Sequence, residues 1–152
     1  MTVETTHAGD RSWRPAWKWG KKEPLLYGRY VTGSLLHICS GSADMGDIKV
    51  DLVHPYADVK ADGQHLPFKS QSWDTIICDP PWVNGLEFRI LKELDRVARY
   101  RVLFITFNDI VLPVKRWKLN ALWVINSRGG TSMCKLFYVW ERIHNHQLEE
   151  YM

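Results

Sequence analysis

The residues best suited to chemistry are Asp79, Pro80, Pro81 and Trp82, which follow a short apolar run at residues 74–78. Each proline fixes its own φ and lacks an N–H, and Pro81 restricts Pro80 to extended geometry. The turn is therefore stiff, and its carbonyl oxygens are free to accept hydrogen bonds. The Asp79 carboxylate can accept from an amine, and the Trp82 indole offers a stacking face. Such a turn could hold a flat ring bearing an amino group, although Pro-Pro after a strand can also be ordinary loop punctuation.

Short apolar segments predict the strands that must position this turn. They are rich in β-branched and aromatic residues, as is typical of a mostly parallel sheet, and lie at residues 35–39, 48–53, 59–61, 75–78 and 102–107. Two further apolar segments, 122–125 and 134–140, flank a glycine-bearing loop at 126–130 and predict an antiparallel C-terminal hairpin. The pattern favours an α/β fold.

One segment, residues 86–98, has a clear helical period, and Asn84 is its expected N-cap. Its apolar face comprises Leu86, Ile90, Leu91, Leu94, Val97 and Ala98, and its polar face comprises Glu87, Arg89, Lys92, Glu93 and Arg96. The links after the first three predicted strands are short, whereas parallel neighbours normally need a crossover of a dozen or more residues. We therefore expect several crossover helices to be reduced or missing.

Asp79-Pro80-Pro81-Trp82 resembles the Asp/Asn/Ser-Pro-Pro-aromatic motif of the nucleic-acid amino-methyltransferases, which methylate N6 of adenine or N4 of cytosine with S-adenosylmethionine. The resemblance extends over roughly residues 35–142. It implies a minimal Rossmann-like class I methyltransferase sheet. It also implies that Asp79 and the Pro80 carbonyl hold the target amine while Trp82 stacks on the base. No metal is required for this chemistry.

The same resemblance implies a cofactor site. Residues 36–42 resemble a strand that opens into a glycine loop beneath the cofactor, so the implied contacts are Cys39, Ser40, Gly41 and Ser42. Asp51 matches the acidic residue that binds the ribose hydroxyls. Residues of the next segment match the one that faces the cofactor's adenine: Asp62, Gly63 and Gln64. Asp51 and Asp62 could instead be ordinary strand-end or turn residues.

Length and composition predict one globular domain, because 152 residues with 45% hydrophobic content can form a real core. We expect a polar and then Trp/Lys-rich arm at 1–33, with residues 1–12 disordered, a methyltransferase domain at 34–143 and a polar tail at 144–152. Neither a membrane-length apolar run nor a signal-type N-terminus occurs, which predicts a cytoplasmic protein without membrane contact. Three cysteines without zinc-site spacing, Cys39, Cys78 and Cys134, are expected to be small buried hydrophobes.

The net charge of +3 permits nucleic-acid binding without demanding it. Basic residues of the arm alternate with Trp13, Trp17 and Trp19, a mixture suited to phosphate and stacking contacts. The aromatic residues could instead cover a sheet face left bare by the missing helices, which we favour. Candidate phosphate contacts are Lys18, Lys21 and Lys22 in the arm, and Lys115, Arg116 and Lys118, which could equally form a solvated face.

Because parallel sheets are normally covered on both faces, we expect the arm, a second copy or a partner protein to cover the bare face, and hence a homodimer or a partnered protein. The resemblance favours an S-adenosylmethionine-dependent methyltransferase acting on an exocyclic amine of a DNA or RNA base, adenine N6 above cytosine N4. Two alternatives are a protein glutamine-amide methyltransferase and a non-catalytic, methyltransferase-like partner subunit. Aspartate rather than asparagine at position 79 argues against the first.

Overall fold

The computed structural model describes residues 4–7, 19–128 and 134–144. These described residues form eight strands, in chain order β1 (Glu4–His7), β2 (Leu35–Ile38), β3 (Ile48–Asp51), β4 (Val59–Lys60), β5 (Trp73–Cys78), β6 (Ala98–Thr106), β7 (Trp117–Arg128) and β8 (Cys134–Arg142). The same part of the chain contains three helices: α1 (Glu23–Gly28), α2 (Leu86–Arg89) and α3 (Leu91–Val97). All the strands join one sheet in the order β1-β7-β8-β6-β5-β2-β3-β4.

The sheet is parallel from β4 through β3, β2 and β5 to β6, and it becomes antiparallel where β8 lies between β6 and β7. This arrangement confirms the predicted α/β class, with a mostly parallel sheet and a C-terminal antiparallel hairpin. The links 39–47, 52–58 and 61–72 contain no helix, as predicted. Among the links from β2 to β7, which the structure describes in full, only that from β5 to β6 is helical, through α2 and α3.

The start of this helical crossover differs from the prediction. Asn84 is not the N-cap: Gly85 caps α2 without a side-chain hydrogen bond, and Asn84 and Gly85 both have positive φ, 51° and 69°. Two left-handed residues in succession turn the chain sharply out of the Asp79–Trp82 turn before the helix begins. Glu87, predicted to face solvent, is only 4% exposed because its Oε1 accepts a 2.7 Å hydrogen bond from Asn108 Nδ2.

Several strand boundaries also differ from the predicted ones. The predicted disorder of residues 1–12 is wrong for 4–7, which pair with β7 in parallel; backbone hydrogen bonds at a sheet edge require no apolar side chains. The expected loop at 126–130 is wrong for 126–128, which continue β7 and pair against β8 as far as Asn126. Residues 39, 52, 53 and 61, expected in strands, lie just beyond β2, β3 and β4.

One face of the sheet is covered by the helical crossover. Ile90, Leu94 and Val97 are fully buried there, and they pack in one cluster with residues of the central strands such as Ile38 and Phe104. The apolar face predicted from the helical period is therefore the face that contacts the sheet, except for Ala98, which was expected in the helix and instead begins β6. Cys78 lies in this core as expected, whereas Cys39 and Cys134 are half-buried.

The other face is covered by the arm. Leu26 and Tyr27 of α1 are buried against the sheet residues Leu35, Ile77, Leu103, Ile105, Phe137 and Val139. Trp19 packs against the same cluster, while Trp13 and Trp17 lie outside the described residues. The arm thus supplies a cover for the face that lacks crossover helices. The expected homodimer or partner protein stays a prediction. None of the described helices is long and apolar enough to cross a bilayer.

Candidate active site

The Asp79–Trp82 turn lies at the point where the strand order of the sheet reverses. Asp79 directly follows β5, which pairs with β2 up to the register of Ile38 with Cys78. The strands that follow β2 in the chain, β3 and β4, lie on one side of it in the sheet, whereas β6, which follows β5, lies on the opposite side. Open α/β sheets bind ligands outside the carboxyl ends of their strands at such a switch point. The turn and the glycine loop after β2 therefore lie side by side at the expected ligand-binding edge.

The Asp79 carboxylate and the Pro80 carbonyl, which the sequence predicts to accept hydrogen bonds from an amine, differ in the hydrogen bonds they already make. Asp79 is half-buried, and its Oδ2 accepts a 2.7 Å hydrogen bond from the indole Nε1–H of Trp19. Among the described residues none donates to Oδ1 of Asp79 or to the Pro80 carbonyl, whereas the Pro81 carbonyl accepts from the backbone N–H of Val83 at 2.9 Å. As far as the described part of the chain is concerned, one carboxylate oxygen and one main-chain oxygen are thus left to accept hydrogen bonds from a ligand.

A buried polar network adjoins Asp79 on the arm-covered face. Lys135 Nζ lies 2.6 Å from Glu23 Oε1, which also accepts a 2.7 Å hydrogen bond from the hydroxyl of Tyr27. Burial raises the pKa of Asp79 to about 6; the Trp19 hydrogen bond and the charge of Lys135 oppose this rise, and the charge of Glu23 adds to it. Asp79 therefore changes its charge close to neutral pH, which suits a group that must both hold and release a proton.

The aromatic residue of the turn retains exposed surface. Trp82 is 36% exposed, and its ring is nearly perpendicular, at 87°, to that of Phe107 beyond β6. Further exposed apolar side chains lie in the segments that follow β3, β5 and β6 at the same edge of the sheet: Leu52, Val53, Tyr56, Val83, Phe88 and Val111. This edge therefore offers apolar surface around the two open acceptors.

The loop after β2 has the open backbone that a bound cofactor needs. Cys39 and Gly41 both have positive φ, 55° and 49°, and a Cβ at Gly41 would meet no atom within 4 Å. Ser40 is 4% exposed, and its Oγ has no hydrogen-bond partner among the described residues, while Ser42 is exposed. An open glycine beside an unpaired buried hydroxyl fits a loop that closes on a polar ligand.

Asp51, the last residue of β3, holds this loop. Its Oδ2 accepts from the backbone N–H of Gly41 at 2.9 Å, and its Oδ1 accepts from Val53 and His54, each at 3.0 Å. Partial burial acts to raise the pKa of Asp51, but the three backbone donors outweigh it, so that the pKa lies below its ordinary value. A carboxylate has about four acceptor positions, so three donors leave room for a ligand hydroxyl.

The third predicted cofactor segment is organised mainly by its own contacts. Asp62 Oδ1 accepts from the Gln64 backbone N–H at 2.9 Å, and Gln64 Oε1 accepts from Arg89 Nε at 2.9 Å. A Cβ at Gly63 would lie 2.2 Å from Ile90 Cδ1, so any larger residue here would have to displace the buried Ile90 side chain of the helical crossover. Gly63 therefore has a packing role that the sequence did not reveal.

The structure separates the predicted phosphate contacts. Lys18 lies outside the described residues, whereas Lys21 and Lys22 are exposed just after Trp19, near Asp79. Lys118 pairs in register with Glu141, which pairs with Arg101 at the amino end of β6. Arg101 pairs with Thr75, four residues before Asp79, or roughly 13 Å along the strand.

The second basic cluster therefore lies toward the amino ends of the parallel strands, whereas Asp79 lies at their carboxyl ends. Lys115, Arg116 and Lys118 are exposed there, and the Arg116 guanidinium is paired with Asp95, with 3.2 Å from Nε to Oδ1. A cavity of about 180 Å³, lined by residues that include Tyr100, Lys118 and His144, lies toward the amino ends as well. It is distinct from the candidate site.

Three residues of the site were not singled out in the sequence: Glu23, His37 and Lys135. His37 is fully buried beneath Trp19, with ring centroids 5.1 Å apart and planes at 17°. Lys135 could have been recognised from the sequence, because it interrupts an apolar run on the same side of the strand as Phe137 and Val139. A charged residue at such a position requires a buried partner, which α1 provides.

No family model matches the sequence, and no curated protein matches it closely enough to count as a relative. Solved structures do share its fold. A proposed methylase from Haemophilus influenzae superposes with a TM-score of 0.58 at 13% identity, covering 81% of this chain and 96% of that one. An S-adenosylmethionine-dependent methyltransferase from Methanosarcina mazei superposes at 0.54 with 11% identity, covering 78% and 97%.

A third similar structure is the tRNA (uracil-54, C5)-methyltransferase of Pyrococcus abyssi, solved with S-adenosyl-L-homocysteine. It superposes with a TM-score of 0.56 at 18% identity, and the match covers 76% of this chain but only 36% of the tRNA enzyme. At these identities the likeness concerns the fold. The chain has the Rossmann-like fold of the S-adenosylmethionine-dependent methyltransferases, with most crossover helices absent from the described residues.

Proposed function

We propose that this protein is an S-adenosylmethionine-dependent methyltransferase that acts on an exocyclic amine of a nucleic-acid base, N6 of adenine above N4 of cytosine. The observation that carries the proposal is that Asp79 Oδ1 and the Pro80 carbonyl accept no hydrogen bond from the described residues and lie at the switch point of a methyltransferase-type sheet. An amino group has two N–H donors, and these two acceptors match them.

The residues of the neighbouring loop fit the cofactor. Gly41 leaves open space, the buried Ser40 hydroxyl has no hydrogen-bond partner in the described part of the chain, and Asp51 retains an acceptor position for a ribose hydroxyl. When bound, S-adenosylmethionine supplies a methyl group already activated on a sulfonium. The protein then has to align the amine and manage its proton.

The acceptors address the weakness of the nucleophile. The lone pair of an aromatic amine is delocalised into the ring, and two hydrogen bonds from its N–H groups favour the pyramidal nitrogen that attacks. As the nitrogen–carbon bond forms and the carbon–sulfur bond breaks, positive charge develops on nitrogen beside the Asp79 carboxylate. The nitrogen then loses one proton, and Asp79 is a suitable acceptor because its pKa is about 6.

The exposed groups around the turn suit a nucleotide substrate. Trp82 offers surface for stacking on a base, and Lys21 and Lys22 can contact phosphates. A base inside a duplex would have to be flipped out to reach Asp79, so single-stranded substrate is favoured. One structural neighbour, the Pyrococcus abyssi enzyme, is a tRNA methyltransferase, so this type of fold is compatible with a nucleic-acid substrate.

The direct test is incubation of the purified protein with S-adenosylmethionine and mixed DNA and RNA, followed by mass spectrometry of the nucleosides. We expect N6-methyladenosine or its deoxy form, and its loss in Asp79→Ala. Asp44→Ala is the matched control, because the Asp44 side chain is fully exposed, and it should retain activity. Methylation that survives in Asp79→Ala would contradict the proposed mechanism, and methylation at carbon would contradict the proposed substrate atom.

One observation favours a second candidate, a non-catalytic partner subunit that retains the fold. The link after β2 has no helix, so the helix N-terminus that can hold an anion at this position is absent. Calorimetric titration with S-adenosylmethionine separates the two functions. Heat of binding that is reduced in Asp51→Ala supports the enzyme, whereas no binding, with or without other methyltransferase subunits, supports the partner role.

A further inference from the structure

Trp19 is the one described residue that hydrogen-bonds to the side chain of Asp79. The bond joins two segments 60 positions apart in the chain, with 2.7 Å from Nε1 to Oδ2. Indole nitrogen is only a donor, so the bond specifies which carboxylate oxygen is used. The other oxygen, Oδ1, is left without a donor from the described residues.

The indole is itself held on two sides. Trp19 stacks on His37. It also makes an edge-to-face contact with Tyr27, with ring centroids 4.9 Å apart. His37 is fixed in turn, because its Nδ1 lies 2.8 Å from the Met45 carbonyl. Tyr27 is fixed by its hydroxyl, which donates to Glu23. Rotation of the indole away from Asp79 would disrupt both ring contacts.

We propose that Trp19 is a positioning residue of the candidate active site: its indole N–H fixes Oδ2 of Asp79 and thereby presents Oδ1 to the target amine. This inference rests on the proposed function. Trp19 does not contact the reacting atoms in this role. It acts through Asp79, whose carboxylate would otherwise rotate about its Cβ–Cγ bond and lose the alignment that efficient transfer requires.

A rival role for Trp19 is that of a plug that occupies the amine's place. Its packing argues against this, because Trp19 belongs to the cluster that covers the sheet and rests on the fully buried rings of His37 and Tyr27. A plug must leave before substrate enters, and its departure would uncover these rings. A positioning residue stays in place and leaves Oδ1 open.

The charges around Asp79 make this role measurable. Within the described ranges, the titratable groups that face Asp79 and Trp19 are Lys135 from β8, Glu23 and Tyr27 from α1, His37 from β2, and the thiols of Cys39 and Cys78. Burial lowers the pKa of His37 to about 4 and raises those of Tyr27 and Cys78, so these groups stay neutral around pH 6. Glu23 and Lys135 are paired with each other. Loss of the indole N–H therefore acts mainly on Asp79, and raises its pKa.

The test compares Trp19→Phe with Trp123→Phe. Trp123 packs against the same sheet face, and its Nε1 donates to the Tyr30 hydroxyl at 2.9 Å, so the control removes an equivalent indole hydrogen bond that does not involve Asp79. With S-adenosylmethionine and a single-stranded adenine-containing oligonucleotide, Trp19→Phe should lower kcat/KM by about 10- to 100-fold. The acidic limb of its pH profile should move upward by about one unit. Trp123→Phe should change neither.

A measurement on the wild type guards against a variant that fails to fold. The indole N–H resonance of Trp19 should shift with a midpoint near pH 6 as Asp79 titrates, whereas that of Trp123 should not. An active wild type with an unshifted profile in Trp19→Phe overturns the inference and leaves the proposed function standing. Faster transfer by Trp19→Phe also overturns it and identifies a plug. A wild type that methylates no base overturns the proposed function, and the inference with it.

Discussion

Replacement of Asp79 by asparagine should make the protein more stable while removing the carboxylate that we propose accepts a proton during methyl transfer. The pKa of Asp79 is about 6 against an ordinary value of 3.8, so ionisation of this carboxyl is less favourable in the folded than in the unfolded protein. A difference of roughly two units at 1.36 kcal/mol each amounts to about 3 kcal/mol. Asparagine is neutral, has the same shape, and can still accept from Trp19 through its amide oxygen.

The expected gain depends on pH in a defined direction. Below about pH 4 Asp79 is protonated in both states, so the wild type and Asp79→Asn should have similar free energies of unfolding. As the pH rises from 3.8 through 6, the wild type loses the stability associated with the protonated carboxyl and the variant does not. At pH 8 the free energy of unfolding of Asp79→Asn should exceed that of the wild type by up to about 3 kcal/mol.

Urea unfolding at a series of pH values from 4 to 8 measures this difference directly. Asp44→Asn is the control, because the Asp44 side chain is fully exposed and its replacement should leave a small, nearly flat difference. Equal stability of the wild type and Asp79→Asn at pH 8 would refute the reasoning. It would mean that Lys135 and the Trp19 hydrogen bond compensate fully for the burial of the carboxylate.

Other substitutions test the surroundings of the site. Lys135→Met leaves Glu23 buried without its cation and should cost about 3 to 5 kcal/mol of unfolding free energy, most of it recovered when Glu23→Gln is added, as a double-mutant cycle in urea would show. Gly63→Ala should cost about 1 to 3 kcal/mol because its methyl group would overlap Ile90, and thermal unfolding checks this. Asp51→Ala should weaken S-adenosylmethionine binding in calorimetry. The stability that Asp51 provides is present above its ordinary pKa and is lost as the pH falls through its lowered folded value, so acid titration of the variant should lack that loss.

The strands of the sheet could be predicted from sequence because buried parallel strands are short apolar runs with few other interpretations. The Cys134–Arg142 strand and its antiparallel partner were predicted for the same reason. The edge strand Glu4–His7 was missed because its pairing is carried by the backbone, and its sequence is polar. The helix cap at Gly85 was missed because it depends on two left-handed residues that follow a rigid Pro-Pro turn, a feature of local geometry rather than of side-chain type.

The sequence could predict which loops form the candidate site, but not the residues that contact Asp79. Asp79 and Gly41 lie on neighbouring strands, and motif order along the chain indicates this adjacency. The partners of Asp79 come from the arm and from the hairpin, and no local pattern links position 19 or 135 to position 79. Contacts between residues so far apart arise from packing, which single-sequence periodicity does not encode.

The arm of this protein both covers one face of the sheet and holds the Asp79 carboxylate. Parallel sheets need cover on both faces, and the helix-free links leave one face to α1 and Trp19. The same segment supplies Glu23, which pairs with the buried Lys135, and the indole that holds the Asp79 carboxylate. Loss of the arm should therefore expose apolar sheet and release Asp79 together, so its stabilising and positioning roles are separable only by substitutions that retain the rings. Trp19→Phe is such a substitution.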